Sequence, residues 1–239
     1  MQIEVHPDYT NLSRRAAAIV AELVRAKPDA VLGLPTGSTP EGFYNALVES
    51  GVSLARVRTF NLDEYLGLPQ DHPESYYSFM KRHLYDRTDL RPENCAIPDG
   101  MTADPVAECR RYEEAVQAAG GLDLVVLGVG HNGHIGFNEP GTPWDSRTRK
   151  VALTDRTRQA NARFFNSLEE VPTHALTMGI GTILTARRIL LLASGTAKAG
   201  VVREMVEGEP DTAVPVTALQ THPDVTVLLD KEAAAQIRA

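Results

Sequence analysis

A mostly apolar run at positions 122–128 constrains the fold of this 239-residue chain more than any other feature. It is the strongest candidate for a buried strand, and a glycine-rich loop follows it. Shorter candidates recur at residues 30–34, 57–62, 175–178, 189–193 and 225–229, with helical periodicity between them. Short apolar strands that alternate with helices predict an α/β fold with a mostly parallel central sheet covered on both faces.

Four of the intervening segments carry helix signals. Asn11 or Ser13 is the predicted cap of a helix that reaches about Ala26, and Pro40 suits the first turn of a helix over 40–49. Residues 74–84 and 104–119 are the other two segments. Ligands of such sheets bind beyond the carboxyl ends of the strands, so the loops there are where a site is expected.

The composition narrows the classes of partner. There are 31 acidic and 24 basic residues, a formal net charge of -7, so neither nucleic acid nor a membrane is an expected partner. No apolar run approaches the ~20 residues that cross a bilayer, and the N-terminus lacks the apolar region of a secretory signal. Cys95 and Cys109 lie too far apart in sequence for a metal knuckle or a redox pair. We therefore expect a cytoplasmic protein with reduced thiols.

Residues 34–40 (LPTGSTP) join a predicted strand to a predicted helix. Their glycine lets the backbone approach a ligand, and the hydroxyls and helix N-terminal amides are all donors to an anion. The loop lacks the Gly-Lys-Ser/Thr ending of a nucleotide P-loop, which favours a sugar phosphate over ATP. A Ser/Thr helix cap with no ligand is the alternative.

A second strand end carries two adjacent acids, Asp63 and Glu64. Neighbouring residues on an extended segment point to opposite sides, so only one of them can face a given site. That acid is a candidate proton-transfer base, with a helix cap or an ion-pair partner as the alternative.

The third loop, residues 128–141, has the glycine spacing of a dinucleotide fingerprint. Its later glycines and prolines forbid the continuous helix that a fingerprint opens, which argues against NAD. His131, His134 and Glu139 suggest a metal site, but two histidines three apart on a glycine-rich loop lack the helical geometry of convincing pairs. We therefore expect neither a metal nor a cofactor.

Several stretches in one order carry a resemblance to a known family. They are residues 34–40 (LPTGSTP), 61–65 (NLDEY), 72–77 (HPESYY), 133–140 (GHIGFNEP), 146–149 (SRTR), 163–165 (RFF) and 195–198 (GTAK). Together, over about residues 31–230, they resemble the glucosamine-6-phosphate deaminase family. The related 6-phosphogluconolactonases share the fold and a similar third loop, but residues 137–140 favour the deaminases.

The resemblance implies a Rossmann-like, three-layer α/β/α sandwich in a single domain, residues 1–239, and a cofactor-free isomerase-deaminase. Asp63 resembles the base that enolises the open-chain sugar. His134 resembles the ring-opening acid–base, assisted by Glu139, and Asn132 stands where some members carry an aspartate. An asparagine can orient His134 but cannot stabilise its cation by charge. The positions that match phosphate-binding residues are Thr36, Gly37, Ser38, Thr39, Arg163 and Lys198.

The resemblance also implies a mobile lid over about residues 154–175, which carries Arg163. The chain ends soon after Asp230, and Val151 stands where hexameric, allosteric members tend to carry a basic residue. Both features indicate the short, non-allosteric branch, as a monomer or small homo-oligomer. The alternatives are a 6-phosphogluconolactonase or another sugar-phosphate isomerase, and a non-catalytic sugar-phosphate sensor.

Overall fold

The computed structural model describes residues 1–162 and 165–238. The strands in these ranges are β1 (Gln2–His6), β2 (Val31–Leu34), β3 (Arg58–Asn61), β4 (Asp63–Leu66), β5 (Cys95–Ala96), β6 (Leu124–Gly128), β7 (Arg149–Ala152), β8 (His174–Thr177), β9 (Ile189–Ala193) and β10 (Val225–Asp230). The α-helices are α1 (Tyr9–Ala26), α2 (Glu41–Glu49), α3 (Tyr76–His83), α4 (Pro105–Ala118), α5 (Asp155–Asn161), α6 (Ile180–Ile183) and α7 (Ala199–Glu207). Short 3-10 helices lie at Tyr85–Arg87, Pro92–Asn94, Thr196–Lys198 and Pro215–Thr221.

Seven strands form one parallel sheet in the order β1-β10-β9-β6-β2-β3-β5. The prediction of a mostly parallel central sheet is therefore confirmed. After β2 the chain adds β3 and β5 on one side, whereas β6, β9 and β10 lie on the other side. The strand order thus reverses between β2 and β6, which is where open α/β sheets leave a crevice for a ligand.

Helices cover both faces of this sheet, because successive side chains of the buried strands point to opposite sides. Leu124 and Val126 of β6 belong to the core formed with α1, α2 and α3. Val125 and Leu127 belong to the core formed with α4, α6 and α7. Fully burying an aliphatic side chain of this kind stabilises the fold by about 1.5–3 kcal/mol, so the two cores hold the three layers together. None of the helices in the described ranges is long and apolar enough to span a bilayer.

The predicted cap of the first helix is wrong. Helix α1 begins at Tyr9, and its cap is Asp8, whose carboxylate accepts the backbone N–H of Asn11 at 2.8 Å. The side-chain amide of Asn11 also bonds to Asp8, at 2.9 Å, and Ser13 is buried inside the helix. Because Asp8 accepts a free backbone N–H at the start of the helix, neither Asn11 nor Ser13 is needed as its cap.

The segment predicted as a strand over 175–178 does form one, but outside the parallel sheet. Strand β8 pairs antiparallel with β4 and β7 in a separate three-stranded sheet. Strand β4 follows β3 after Leu62 alone, so it leaves the main sheet at its carboxyl edge and finds partners there. The backbone oxygen of Leu62 accepts the N–H of Met178 at 2.7 Å, which joins the two sheets.

Candidate active site

A cavity of about 490 Å³ opens at the carboxyl edge of the parallel sheet, beside the switch between β2 and β6. Loops that follow β2, β3, β6 and β9 form its wall, so residues far apart in the sequence meet there. Of the residues predicted for the site, those that line the cavity are Thr36, Gly37, Ser38, Thr39, Asp63, His134 and Lys198. Arg163 lies outside the described residues. The cavity has the size and position of a small-molecule site.

Two tyrosines hold the loop between β2 and α2 in place. The hydroxyl of Tyr9 donates to the backbone oxygen of Thr39 and accepts the N–H of Gly42, both at 2.8 Å. The hydroxyl of Tyr44 donates to the backbone oxygen of Pro35 at 2.6 Å. The loop is therefore preorganised, with exposed Gly37 and Ser38 beside the N-terminus of α2, which attracts anions.

Lys198 supplies positive charge to the same cavity. Its Nζ donates to the backbone oxygen of Val129 at 2.8 Å, and burial lowers the pKa of its ammonium group. The preceding turn is held by Asp230 at the end of β10, whose carboxylate accepts the N–H of Gly195 at 3.0 Å and the hydroxyl of Ser194 at 2.5 Å. Among the described residues that line the cavity, Lys198 is the one lysine or arginine.

Asp63 is the first residue of β4 and is only 6% exposed. Burial, with the charge of Glu64 adding to it, raises the pKa of its carboxyl group to about 8. Within the described part of the chain, no hydrogen bond reaches this carboxylate that would oppose the shift. Gly136 passes close by with φ of 57°, and a Cβ there would stand 3.3 Å from an Asp63 oxygen. A buried carboxyl group with a high pKa and an open face toward a cavity can accept a proton from a bound molecule.

Glu64 points away from the cavity, as adjacent positions on a strand require. Its carboxylate accepts the backbone N–H groups of Tyr65 at 2.8 Å and of Tyr76 and Tyr77 at 3.0 Å. Burial raises its pKa to about 7 despite these bonds. Glu64 thus joins β4 to the first turn of α3, and Tyr76 of that turn lines the cavity.

His134 is the cavity-facing member of a hydrogen-bonded chain. The amide nitrogen of Asn132 donates to Glu139 Oε2 at 2.7 Å, so the amide oxygen faces His134 Nδ1, 2.6 Å away. Because an amide oxygen only accepts, Nδ1 carries the proton, and Nε2 of the neutral ring is left as an acceptor. Asn132 and Glu139 stand behind His134 and are not among the residues that line the cavity.

Burial lowers the pKa of His134, and the nearby charges of His131 and Lys198 lower it further, against the opposing charge of Glu139. The imidazole is therefore neutral at physiological pH and able to take a proton. The ring lies against Gly130, where any Cβ would overlap it. The glycine-rich loop thus has a specific use, which is to let the backbone pass beside the histidine ring.

Among the described residues, no group of three or more His, Cys, Asp and Glu side chains is suited to hold a metal ion. His131 and His134, proposed as possible ligands from the sequence, have ring centroids 6.1 Å apart with their planes perpendicular. Asn132 lies between Glu139 and His134, whose Oε2 and Nδ1 are 3.8 Å apart.

Several residues in and around the cavity had no individual role assigned from the sequence. Phe137, Thr157 and Asn161 also line it. Asn138 supports the third loop, because its amide donates to the backbone oxygens of Ile135 and Met178 at 2.8 and 2.9 Å. Arg149 donates in turn to the Asn138 side-chain oxygen at 2.8 Å. Asn138 and Arg149 belong to the GHIGFNEP and SRTR stretches, which marked them without indicating what they contact.

Known proteins of similar sequence match this chain over nearly their full length. The glucosamine-6-phosphate isomerase/6-phosphogluconolactonase family matches residues 9–228. Glucosamine-6-phosphate deaminase of Bacillus velezensis is 53% identical over 230 residues, which cover 95% of each chain. Glucosamine-6-phosphate deaminase 1 of Bacillus subtilis is 51% identical over 231 residues, which cover 95% of this chain and 96% of that one.

Solved structures agree in fold. A monomeric glucosamine-6-phosphate deaminase superposes with a TM-score of 0.96 at 50% identity, covering 99% of this chain and 100% of its own. A 6-phosphogluconolactonase of Trypanosoma cruzi has a TM-score of 0.81 at 22% identity, covering 100% of this chain and 97% of its own, and shows the common fold. By sequence and by structure, this chain belongs to the family of glucosamine-6-phosphate isomerases and 6-phosphogluconolactonases.

Proposed function

We propose that this protein is a glucosamine-6-phosphate deaminase, which converts glucosamine 6-phosphate and water to fructose 6-phosphate and ammonia. The observation that carries the proposal is a single cavity with an anion-binding loop and Lys198 together with Asp63 and His134. Relatives that are about half identical carry the same name, whereas the lactonase of similar fold is 22% identical.

His134 opens the sugar ring. The anomeric hydroxyl gives its proton to Nε2 of the neutral imidazole, and the imidazolium returns that proton to the ring oxygen as the bond between this oxygen and C1 breaks. While His134 is cationic, the carboxylate of Glu139 stabilises the charge from 3.8 Å, and Asn132 holds the ring in orientation. Asn132 transmits orientation and Glu139 supplies the negative charge, so an asparagine suffices between them.

Asp63 then isomerises the open-chain aldehyde. Its carboxylate takes the proton from C2 while the C1 oxygen gains a proton, which gives an enolamine. The carboxylate then delivers its proton to C1 as the nitrogen loses one, which leaves an imine at C2. Water adds to the imine carbon and ammonia departs, which gives the ketone of fructose 6-phosphate. General-base catalysis of this kind accounts for ~10²–10⁴-fold in rate.

The phosphate binds in the same cavity, through Thr36, Gly37, Ser38, Thr39 and Lys198. Binding energy gained there holds C1 and C2 against Asp63 without weakening the bonds that react. Arg163, on a lid over about residues 154–175, completes the phosphate site in this proposal.

The protein acts as a single domain and a monomer, in the cytoplasm. The monomeric state is supported by the deaminase of known structure that is 50% identical and described as monomeric. A reducing compartment is consistent with two free thiols, Cys95 and Cys109.

The test is ammonia release from purified protein given glucosamine 6-phosphate, with EDTA present and no nicotinamide added. Stoichiometric ammonia and fructose 6-phosphate are the expected products. Hydrolysis of 6-phosphogluconolactone without ammonia release would instead identify a lactonase. Binding of the amino sugar phosphate without turnover would identify a sensor.

A further inference from the structure

Thr157 of helix α5, which also lines the cavity, bonds to Glu139, the last member of the His134–Asn132–Glu139 hydrogen-bonded chain, here called the histidine relay. The hydroxyl of Thr157 donates to Glu139 Oε1 at 2.9 Å. The same hydroxyl accepts from Thr154 Oγ1 at 2.9 Å, and Thr154 is the N-cap of α5, where it accepts the N–H of Thr157 at 3.2 Å. The direction of the Thr157 hydroxyl is therefore set by the cap of its own helix.

Both oxygens of the Glu139 carboxylate are thereby engaged. Oε1 accepts from Thr157, and Oε2 accepts from Asn132 at 2.7 Å. A carboxylate held at one oxygen can rotate about that contact, whereas one held at both oxygens keeps its plane. The orientation of Asn132, and through it of the His134 ring, thus depends on a donor that α5 supplies.

Among the described side chains of α5, Thr157 and Arg158 hydrogen-bond to the rest of the protein. Beyond Thr157, the guanidinium of Arg158 donates to the backbone oxygens of Leu168 and Val171 at 2.9 and 3.2 Å. Arg158 therefore holds α5 to the segment that follows it, whereas Thr157 bonds to Glu139 of the histidine relay. Mutating each residue separately distinguishes the effect of moving α5 from the effect of losing the bond to Glu139.

We propose that Thr157 is a positioning residue that couples the placement of α5 to the ring-opening step at His134. The inference rests on the proposed deaminase function. Ring opening is fully competent only when α5 is packed so that Thr157 bonds to Glu139. When α5 is displaced, the carboxylate and Asn132 lose their fixed orientation, and Nε2 no longer faces the anomeric hydroxyl.

The experiment compares Thr157→Val, which keeps the shape and removes the donor, with Thr157→Ser, which restores the donor. For Thr157→Val we expect kcat to fall roughly 10- to 100-fold, because a hydrogen bond to a charged group is lost. The dissociation constant of 2-amino-2-deoxyglucitol 6-phosphate, which has no ring to open, should stay within about twofold. Thr157→Ser should recover most of kcat. Arg158→Ala keeps the Thr157 hydroxyl but removes the bonds that hold α5 to Leu168 and Val171. It should also lower kcat, because the proposal makes ring opening depend on the placement of α5, and it should weaken binding of this open-chain compound.

A second readout does not depend on turnover. In ¹⁵N-histidine spectra, with the His134 signals identified by their loss in His134→Gln, Thr157→Val should shift the ring-nitrogen resonances and Thr157→Ser should not. An unchanged spectrum and an unchanged kcat in Thr157→Val would overturn the inference. An equal loss of binding of the open-chain compound in Thr157→Val and Arg158→Ala would also overturn it. If wild-type protein releases no ammonia while Thr157→Val still shifts the His134 resonances relative to wild type, the deaminase proposal fails and the coupling of Thr157 to His134 stands.

Discussion

Replacing Asp63 by asparagine separates the two consequences of burying this carboxyl group, which are catalysis and a loss of stability. Only the ionised form can take the C2 proton, and with a pKa of about 8 roughly a tenth of the free protein carries it at pH 7. For wild type, kcat/KM should therefore rise about tenfold per pH unit up to about pH 8. Asp63→Asn should reduce kcat by ~10²–10⁴-fold at every pH, since the amide cannot act as a base.

The same substitution should change how stability depends on pH. A carboxyl group whose pKa rises from 3.8 to about 8 on folding binds its proton more tightly in the folded protein. This contribution is fully present below pH 3.8 and is lost as the pH rises to about 8, by up to about 1.4 kcal/mol per pH unit. Asparagine does not titrate, so the free energy of unfolding of Asp63→Asn relative to wild type should increase over this window. The cost of burying the amide changes the offset but not this slope.

The assay is urea unfolding at a series of pH values between 4 and 8, with ammonia release measured on the same preparations. Glu49→Gln is the matched control, because Glu49 is exposed at the end of α2 and its loss should alter neither property. Near-normal turnover in Asp63→Asn would refute the assignment of the base. A stability difference that stays constant with pH would refute the raised pKa and the burial argument behind it.

Three further substitutions test other parts of the structure. Lys198→Met should raise KM roughly 10- to 100-fold with a smaller effect on kcat, since a charge in the phosphate site is lost; equal losses in kcat and kcat/KM would contradict that role. Gly130→Ala should lower kcat at least about tenfold in steady-state assays because its Cβ overlaps the His134 ring, while full activity would show that the ring can move aside at no cost. Leu191→Ala, at a fully buried position of β9, should lower the free energy of unfolding by about 2–5 kcal/mol in urea titrations, and a loss below about 1 kcal/mol would indicate a core that collapses around the gap.

Local patterns in the sequence were sufficient to predict the layered α/β fold and the position of the site at the edge of the sheet. The apolar runs that became β6, β9 and β10 are buried on both faces, a pattern typical of a covered parallel sheet. Because parallel strands end at one edge, their loops had to meet there, and seven of the ten predicted site residues line one cavity. Strand alternation also required that Asp63 and Glu64 diverge, as they do.

Tertiary structure decided the burial, the hydrogen-bond partners and the pKa values of those residues. The small sheet pairs β4 with β8, which lies more than one hundred residues later in the chain, and no local pattern specifies such pairing. The high pKa of Asp63 comes from desolvation by the packed chain, and the bond from Thr157 to Glu139 crosses 18 positions of sequence. The sequence by itself determined which side chains reach the edge of the sheet, because hydrophobic periodicity is local. Which of them are buried, oriented and coupled was decided only by packing, because those properties depend on neighbours that the fold brings from elsewhere in the chain.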